Sequence, residues 1–402
     1  MKVLHITTYI TGGAGIAVKR LHEALLDEGV DSKILCLFAL PENISREIYQ
    51  LNQSRSFTYR ILKKLKLDKN SRLIKNLRGN FEAFSSPHSP YNVHLHPLVI
   101  DADIIHLHWI SDFVDIPTFF KSVKKPIIWT AHDLNPILGG FHYEQDVIKN
   151  PCFSLIEEKF KKLKHHYIKK ANVHFIGSST ITVQKIEENL PGVSCSKIPC
   201  ILDLRNFQPI DKKKAKTALG ISENTLILGS GADDLTNYRK GYWLLLEALE
   251  MMDENDKDRF KILSFGAKKG TFQHNTPKSP DTIKFEPIYD KRLHSLIYSA
   301  MDYFVIPSVE ETFGLTGTEA LLCNTPVISS KTGGMVDYVE DGVNGFLFEP
   351  LDKAALLMKI KNIVHSIQNV DDLNCRQSII DWYEREQPVA KHIQLYNEKL
   401  KN

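Results

Sequence analysis

Short apolar runs alternate with amphipathic helical segments along the first half of the chain. The run VLHIT (3–7) is followed by the glycine-dense segment TGGAG (11–15), and then by a segment in which apolar residues recur at helical spacing. Strands that alternate with helices predict a parallel sheet covered on both faces. The further predicted strands are SKILCLF (32–38), ADIIHLHW (102–109), PIIWTAHD (126–133) and ANVHFIGSS (171–179).

The same pattern restarts after a polar, lysine-rich segment at 209–217. We therefore predict two α/β domains, at residues 1–205 and 206–376, with a C-terminal helix at 377–402. The predicted strands of the second domain are TLILGSGA (225–232), RFKILSFGA (259–267), TIKFEP (282–287), DYFVIPS (302–308), TPVISS (325–330) and GFLFEP (345–350).

The composition is that of an ordinary globular protein, because 43% of the 402 residues are hydrophobic and 25% are charged. No apolar run approaches the ~20 residues of a membrane-spanning helix, and the N-terminus lacks a secretory leader pattern. The six cysteines form no C-x-x-C pair. We therefore expect a cytoplasmic protein.

Positive charge is concentrated in the first half of the chain. Residues 1–200 hold 26 lysines and arginines against 19 acids, whereas residues 201–402 hold 25 against 29. Two basic runs, 55–78 and 159–170, account for much of this excess. Such runs attract anionic lipid or nucleic acid, although a solvated helix face has the same composition.

The first glycine-rich segment has little side-chain bulk and precedes a helix. Gly13, Ala14 and Gly15 can therefore bring backbone N–H groups close to a phosphate, although a turn that needs positive φ would use the same residues. The segment is also close to a dinucleotide fingerprint. The acid that a nicotinamide dehydrogenase needs after its second strand is missing, since Asp31 precedes that strand.

The second domain offers cations and acids in its strand-to-helix loops. Arg239 and Lys240 stand at the start of a helix, where two cations oppose the helix dipole unless an anion offsets them. Glu311 follows a predicted strand, and Glu319 is expected on the first turn of the next helix. These carboxylates can accept hydrogen bonds from different hydroxyls of one ligand, and a dipole-favoured acid is the alternative for Glu319.

The second domain contains three consecutive motifs, ETFGLTGTEAL (311–321), CNTPVISSKTGG (323–334) and DGVNGFLFEP (341–350). They resemble the donor-binding region of family-4 retaining glycosyltransferases of the GT-B fold. IPCILDLRNFQP (198–209) resembles the interdomain segment of that family. In the first domain DIIHLHW (103–109), WTAHDLN (129–135) and GGFHY (139–143) resemble a branch that builds bacterial surface polysaccharides.

The resemblance implies two Rossmann-like domains facing a central cleft, with the C-terminal helix returning to the N-terminal domain. It also implies sugar transfer from a nucleoside diphosphate donor to a glycan or lipid-linked acceptor, with retention of configuration. Neither a metal nor another cofactor is expected. We expect a cytoplasmic location, with the basic excess of residues 1–200 in contact with the anionic inner face of the cytoplasmic membrane, and we do not expect nucleic acid as a partner.

The resemblance also assigns roles to residues of this chain. Arg239 and Lys240 match the basic pair near the donor diphosphate, Glu311 the acid that holds the sugar hydroxyls, and Glu319 the acid that holds the ribose. His132 matches a histidine near the reacting centre. The remaining donor-binding positions that match are Gly13, Ala14, Gly15, Gly314, Leu315 and Thr316.

This chain departs from the family pattern at several positions. It reads Gly231-Ala232-Asp233 where many members have an arginine after the glycines, so Lys240 is expected to carry more of the leaving-group charge. Cys200 and Ile201 replace the usual Asn-Gly, and Thr316 replaces a frequent proline. A phosphorylase or sugar-nucleotide epimerase on the same fold remains the alternative reading.

His132 ends the predicted strand PIIWTAHD and could be a structural histidine instead, with Asp133 available to orient it. His106 and His108 share one face of a strand, but the sequence identifies no third metal ligand. Asp101 and Asp103 imitate the D-x-D metal site of another glycosyltransferase fold. They stand at the start of the predicted strand ADIIHLHW, and the resemblance implies a metal-independent architecture, so we expect no metal site there.

Overall fold

The computed structural model describes residues 1–39, 47–51, 78–266, 280–366 and 374–401. The chain divides into two compact units, which we call the N-terminal unit (Met1–Ile201 with Pro388–Asn402) and the C-terminal unit (Leu202–Gln387). The boundary between the two units, at 201/202, thus falls slightly before the predicted boundary at 205/206. Each unit is an α/β layer structure around its own parallel sheet.

The N-terminal unit contains a seven-stranded parallel sheet of order β3-β2-β1-β4-β5-β6-β7. Every predicted apolar run forms a strand, but two short edge strands escaped prediction because three residues give no readable alternation. The strands are β1 (Lys2–Tyr9), β2 (Asp31–Phe38), β3 (Ile48–Gln50), β4 (Ile104–Leu107), β5 (Ile127–Ala131), β6 (His174–Gly177) and β7 (Cys195–Lys197).

Helices cover both faces of this sheet, as two separate clusters of buried apolar side chains show. The first helix begins at Gly12, so that the predicted glycine loop is in fact the first helical turn. Short 3₁₀ turns lie at Val93–Leu95 and Pro151–Phe153. The α-helices are α1 (Gly12–Asp27), α2 (Pro97–Asp101), α3 (Ile116–Ser122), α4 (Glu144–Lys149), α5 (Ser154–Lys170) and α6 (Thr180–Asn189).

The C-terminal unit contains a six-stranded parallel sheet of order β10-β9-β8-β11-β12-β13. All six strands coincide with predicted apolar runs, and the strands inside the sheet are buried on both faces and read as continuous hydrophobic stretches, whereas the edge strand β10 is only partly buried. They are β8 (Leu226–Gly231), β9 (Phe260–Phe265), β10 (Thr282–Phe285), β11 (Tyr303–Ile306), β12 (Val327–Ser330) and β13 (Gly345–Phe348).

The helices of the C-terminal unit pack on this sheet around a core that includes Leu245, Tyr303 and Ile360. They are α7 (Lys212–Ala218), α8 (Tyr242–Glu250), α9 (Glu254–Lys257), α10 (Lys291–Ala300), α11 (Leu315–Leu322), α12 (Met335–Tyr338), α13 (Lys353–Val364) and α14 (Cys375–Glu386), with a 3₁₀ turn at Tyr238–Lys240.

The C-terminal segment forms two helices where the sequence predicted one. After α14 the backbone of Gln387 is left-handed (φ 44°), and α15 (Pro388–Lys401) begins at the following proline, which cannot continue a helix. Trp382 of α14 packs against aromatic side chains of the C-terminal unit. Leu395 and Tyr396 of α15 are buried in the N-terminal unit.

Both sheets have the doubly wound order, in which the chain reverses direction across the sheet at one point. Ligands of such sheets bind beyond the carboxyl ends of the strands at this switch point. The switch lies between β1 and β4 in the N-terminal unit and between β8 and β11 in the C-terminal unit. Among the described residues no helix is both long and apolar enough to span a bilayer.

Candidate functional site

The structure brings Arg239, Lys240 and Glu311 together at the switch point of the C-terminal sheet. The two cations belong to the loop after β8 and the acid to the loop after β11. The Lys240 ammonium forms an ion pair with Glu311 Oε1, and Arg239 Nη1 lies 3.4 Å from the same oxygen. Arg239 also donates to the Glu310 carbonyl at 3.1 Å. The sequence predicted these residues individually but not their pairing.

The Glu311 side chain is only 10% exposed, so its charge depends on its partners. Burial on its own would raise the pKa of this carboxyl, but the charges of Lys240 and Arg239 outweigh burial and leave the pKa below its usual value. Ser308 Oγ donates to the same oxygen at 3.4 Å. These three ionic groups together carry one net positive charge, which suits an anionic ligand.

Gly241 fixes the direction in which the two cations leave the backbone. Its φ is 69°, and a Cβ atom at this position would lie 1.8 Å from the Pro307 carbonyl oxygen. The backbone here packs directly on the chain after β11, and Val309 N donates to the Arg239 carbonyl at 2.8 Å. Only glycine satisfies both the conformation and the close approach.

Gly314, Leu315 and Thr316 form the start of α11, next to this ion pair in sequence. Tyr338 holds the turn by donating to the Gly314 carbonyl at 2.7 Å. Glu319 is the fifth residue of α11, so its predicted placement on the first turn is wrong and the helix dipole does not explain it. The Glu319 side chain is buried. The pKa of the Tyr298 hydroxyl lies well above its usual value, because Tyr298 is itself buried and because the charge of Glu319 is nearby.

The glycines of the first C-terminal loop have a structural role. Gly229 and Gly231 lie inside β8, where added Cβ atoms would collide with Met301 and Phe265 respectively. Ser230 Oγ donates to the Val305 carbonyl at 3.0 Å. This segment is therefore a closely packed strand, as predicted for TLILGSGA (225–232).

At the switch point of the N-terminal sheet, Gly13, Ala14 and Gly15 occupy the first turn of α1. Gly13 is exposed, Ala14 half-buried and Gly15 buried. A Cβ at Gly15 would lie 2.3 Å from the Ile10 backbone, so close packing accounts for a glycine at this position. No acidic residue stands in this first turn, so the exposed N–H groups of the helix start are not offset by a neighbouring carboxylate.

His132 follows β5 and is hydrogen-bonded to His108, which follows β4. The distance from His132 Nε2 to His108 Nδ1 is 3.0 Å, and the two rings are stacked. Burial lowers the pKa of His132 to about 4, so the ring is neutral near pH 7. Asp133 raises this pKa in part through its charge, but its oxygens accept hydrogen bonds from other groups.

Asp133 anchors the loop that follows β5. It accepts hydrogen bonds from Trp109 Nε1 at 2.6 Å, from His142 Nδ1 at 2.5 Å and from the backbone N–H of Asn135 at 2.9 Å. His142 in turn contacts Ser85 Oγ at 2.8 Å. The predicted motifs at 103–109, 129–135 and 139–143 are thus brought together by one buried carboxylate, which the sequence did not indicate.

The structure supplies the third imidazole that the sequence did not identify. His5, His106 and His108 are buried, and their potential ligand nitrogens lie within 4.8 Å of one another. However, His106 is already bonded on both nitrogens, to Tyr396 Oη and to Thr130 Oγ1, at 2.7 Å each. Metal binding would have to break such bonds, so the three rings fit a hydrogen-bonded cluster better than a ligand set.

Asp101 and Asp103 lie at the amino end of β4, opposite the edge at which ligands of this fold bind. Asp101 forms an ion pair with Lys2 at 2.8 Å, and Asp103 accepts from the Lys2 backbone N–H at 2.8 Å. Both carboxylates are therefore already bonded to Lys2 of β1.

The basic run at 55–78 lies almost entirely outside the described residues. The run at 159–170 belongs to α5 and is not simply a solvated face, because Lys164 points into the core and binds the Asn135 carbonyl. Burial lowers the pKa of Lys164 to about 7. Lys161 donates to Asn189 at 2.8 Å.

Residues 211–374 match the family model described as glycosyl transferases group 1. The D-inositol 3-phosphate glycosyltransferase of Geodermatophilus obscurus is 32% identical over 180 residues, which are 42% of this chain and 39% of that protein. An uncharacterized 41.2 kDa protein in the cps region of Klebsiella pneumoniae is 24% identical over 98% of this chain and 99% of its own length. The chain spans 39% to 63% of the length of the first D-inositol 3-phosphate glycosyltransferases that it matches.

Two solved structures have a similar fold. Sucrose-phosphate synthase from Thermosynechococcus elongatus superposes with a TM-score of 0.69 at 18% identity and 99% coverage of both chains. Anabaena HepE, solved in complex with UDP-glucose, gives a TM-score of 0.62 at 18% identity, with 100% of this chain and 99% of that chain covered.

The two Rossmann-like α/β units therefore form the GT-B fold of glycosyltransferases. Within the C-terminal unit, the matched residues 211–374 are similar to the glycosyl transferases group 1.

Proposed function

We propose that the protein transfers a sugar from a nucleoside diphosphate donor to a glycan or lipid-linked acceptor, with retention of configuration, in the synthesis of a cell-surface polysaccharide. The observation that carries this proposal is the ionic group formed by Arg239, Lys240 and Glu311 at the switch point of the C-terminal sheet. It combines cations for a diphosphate with an acid for sugar hydroxyls.

In the proposed reaction the bond between the anomeric carbon and the diphosphate oxygen breaks, and the acceptor oxygen bonds to the same face of that carbon. The departing diphosphate gains negative charge, which Lys240 and Arg239 stabilise, and it takes the proton from the acceptor hydroxyl. Glu311 holds hydroxyls of the sugar, while Glu319 holds the ribose. His132 acts near the reacting centre.

A metal ion is not needed in this scheme, because side-chain cations supply the positive charge. Asp101 and Asp103 would be the natural carboxylate ligands, but they are held by Lys2 at the other end of the sheet. We propose that turnover is independent of divalent metal.

The role in surface polysaccharide synthesis is supported by the full-length relative in the Klebsiella cps region. HepE supports a UDP-sugar as the first donor to test, since it was solved with UDP-glucose.

The proposal is tested by thermal unfolding of the purified protein with UDP-, GDP- and ADP-sugars, followed by measurement of nucleoside diphosphate release. A ligand that binds only the folded state raises the unfolding temperature. We expect one nucleotide class to stabilise the protein. No shift with any nucleotide, together with no release in the presence of mixed glycan and lipid acceptors, would contradict the function.

A phosphorylase or epimerase on the same fold would give a different outcome in this assay. Phosphorolysis would require inorganic phosphate, and epimerisation would change the sugar without an acceptor. The relatives do not favour either reaction, since their names describe glycosyltransferases and a glycogen synthase.

We further propose a peripheral contact with an anionic membrane through the basic run at 55–78. Each cation near such a surface contributes about 1 kcal/mol. Replacement of Lys63, Lys64 and Lys66 by glutamate should reduce flotation with phosphatidylglycerol vesicles at low salt, whereas neutral vesicles serve as the control. Equal flotation of the variant and the wild type would reject this contact.

A further inference from the structure

A row of three hydrogen-bonded imidazoles leads from His132 into the core of the N-terminal unit. His132 Nε2 lies 3.0 Å from His108 Nδ1, and His108 Nε2 lies 2.9 Å from His5 Nδ1. His5 is part of β1 and His108 follows β4, the two strands that flank the switch point. His5 and His108 are 0% and 3% exposed.

The middle ring of this row is held firmly in place. The His108 backbone N–H donates to the Ile6 carbonyl at 3.0 Å, and its carbonyl accepts from Trp129 Nε1 at 2.9 Å. Its ring lies 5.2 Å from the ring of His5 and 5.2 Å from that of His132, centroid to centroid. The ring of His108 therefore cannot turn without breaking its hydrogen bonds to His5 and His132.

Neutral imidazoles can form such a row in only two ways. Each neutral ring carries one N–H group and one bare nitrogen, so each hydrogen bond needs an N–H on one side and a lone pair on the other. All N–H groups therefore point the same way along the row, either inward toward His5 or outward toward His132.

The inner end of the row decides between the two directions. His5 Nε2 is buried and has no hydrogen-bond partner among the described residues. If the row pointed inward, His5 would accept on Nδ1 and carry its hydrogen on Nε2, which would leave a buried N–H without an acceptor. Orphaned buried N–H groups are rarer than under-satisfied acceptors. The outward direction leaves only a lone pair unsatisfied.

We infer that His5 and His108 are positioning residues that donate outward from ring to ring and thereby hold His132 in the tautomer with its hydrogen on Nδ1. The role of this tautomer in the reaction rests on the proposed function. In this form His132 is a neutral hydrogen-bond donor at Nδ1 and not a base. Such a group can hold a sugar or acceptor oxygen while the departing phosphate takes the proton.

The tautomers are measured directly by long-range ¹H–¹⁵N correlation spectra of the full chain labelled with ¹⁵N-histidine, since protonated and bare ring nitrogens differ widely in shift. The His132 signals are assigned from their loss in His132→Gln. We expect His132 and His108 each to be protonated on Nδ1 and bare on Nε2. A His132 ring protonated on Nε2 would overturn the inference, as would a metal ion bound at His5, His106 and His108 in the purified protein.

Three variants test whether the hydrogen-bonded row sets the tautomer of His132. His108→Phe removes the donor to His132, so the His132 tautomer should become mixed and kcat should fall about tenfold, with little change in the donor KM. His108→Asn keeps a donor near the Nδ1 position and should restore most of both readouts. His174→Phe is the matched control, because His174 is a buried histidine of the same sheet whose ring is hydrogen-bonded to Ser194 and Ser196. An unchanged His132 tautomer in His108→Phe would contradict the inference.

The spectra need no substrate, so they separate this inference from the proposed function. The expected tautomer in a protein that turns over no sugar nucleotide would contradict the function only. Should His108→Phe prove unfolded, the wild-type spectrum and His108→Asn still decide the question.

Discussion

At the residue scale, the pairing of Lys240 with Glu311 governs what substitutions in the C-terminal unit will do. Both groups are largely buried, at 26% and 10% side-chain exposure, and each offsets the charge of the other. Removing one partner of such a pair leaves the charge of the other less well compensated, which destabilises the protein. Kinetic effects at this site must therefore be measured together with stability.

Lys240→Ala should slow turnover about a hundredfold, which corresponds to about 3 kcal/mol in the barrier, because a preorganised cation is lost beside the departing diphosphate. Lys240→Arg should recover only part of this loss, since a guanidinium has a different shape. Turnover of the wild type should survive EDTA. These rates are measured by nucleoside diphosphate release below the unfolding temperature of each variant.

The matched control for Lys240→Ala is Lys353→Ala, because Lys353 forms an exposed ion pair with Glu247 at 3.2 Å in the same unit. It should leave turnover unchanged. Activity abolished by EDTA and restored by manganese would refute the metal-free scheme.

Glu311→Gln and Glu319→Gln should affect different parts of the donor. Glu311→Gln should lower turnover of the intact sugar nucleotide but not weaken binding of the free nucleoside diphosphate, because Lys240 and Arg239 are released from their acid. Glu319→Gln should weaken binding of the free diphosphate about tenfold, as a charged hydrogen-bond acceptor to the ribose is lost. Calorimetric titration measures both, and equal weakening by the two changes would contradict these roles.

At the element scale, Gly241 joins the 3₁₀ turn that carries the cations to α8. Gly241→Ala should lower the free energy of unfolding and also weaken diphosphate binding, because the added methyl group would displace the turn from the Pro307 carbonyl. Gly220→Ala is the matched control. Gly220 has nearly the same φ, 70°, but an added Cβ there has no neighbour within 4 Å.

We therefore expect Gly220→Ala to cost about 1 kcal/mol of stability through backbone strain alone, with diphosphate binding unchanged. Gly241→Ala should cost more. Urea unfolding and calorimetric titration measure the two effects. Equal losses of stability with unchanged binding in both variants would show that Gly241 does not position the cations.

At the scale of the whole molecule, the N-terminal unit should be the more sensitive to acid. Burial lowers the pKa of several of its histidines to about 4, whereas an unfolded histidine titrates near ~6.5. Between these values the unfolded chain binds more protons, so stability is lost as the pH falls through this window and is constant above it. These histidines are His22, His132, His174 and His392.

Each such histidine contributes up to about 1.4 kcal/mol of unfolding free energy per pH unit inside the window. Urea unfolding at pH 5, 6, 7 and 8 tests this in a variant with Trp243→Phe and Trp382→Phe, whose remaining tryptophans, Trp109 and Trp129, report on the N-terminal unit. We expect a falling midpoint below pH 7 and a smaller slope when His174→Asn is added. Equal midpoints at pH 5 and pH 7 would refute this prediction.

The sequence by itself determined the two parallel sheets and most of their strands, because a strand buried on both faces must be apolar throughout. The resemblance of its motifs named Lys240, Glu311 and Glu319 as candidate donor-binding residues, and their roles stay predictions. The sequence missed β3 and β7, which are too short to show a period, and it joined α14 and α15, since the left-handed turn at Gln387 leaves no clear signal.

Only the tertiary structure decided which of these residues meet. The contact of Lys240 with Glu311 spans 71 positions of the chain, and that of His5 with His108 spans 103. Strand order sets such contacts, because parallel neighbours are joined by crossovers and lie far apart in sequence. The same packing placed His5 behind His132, since burial and hydrogen-bond direction are properties of the folded chain.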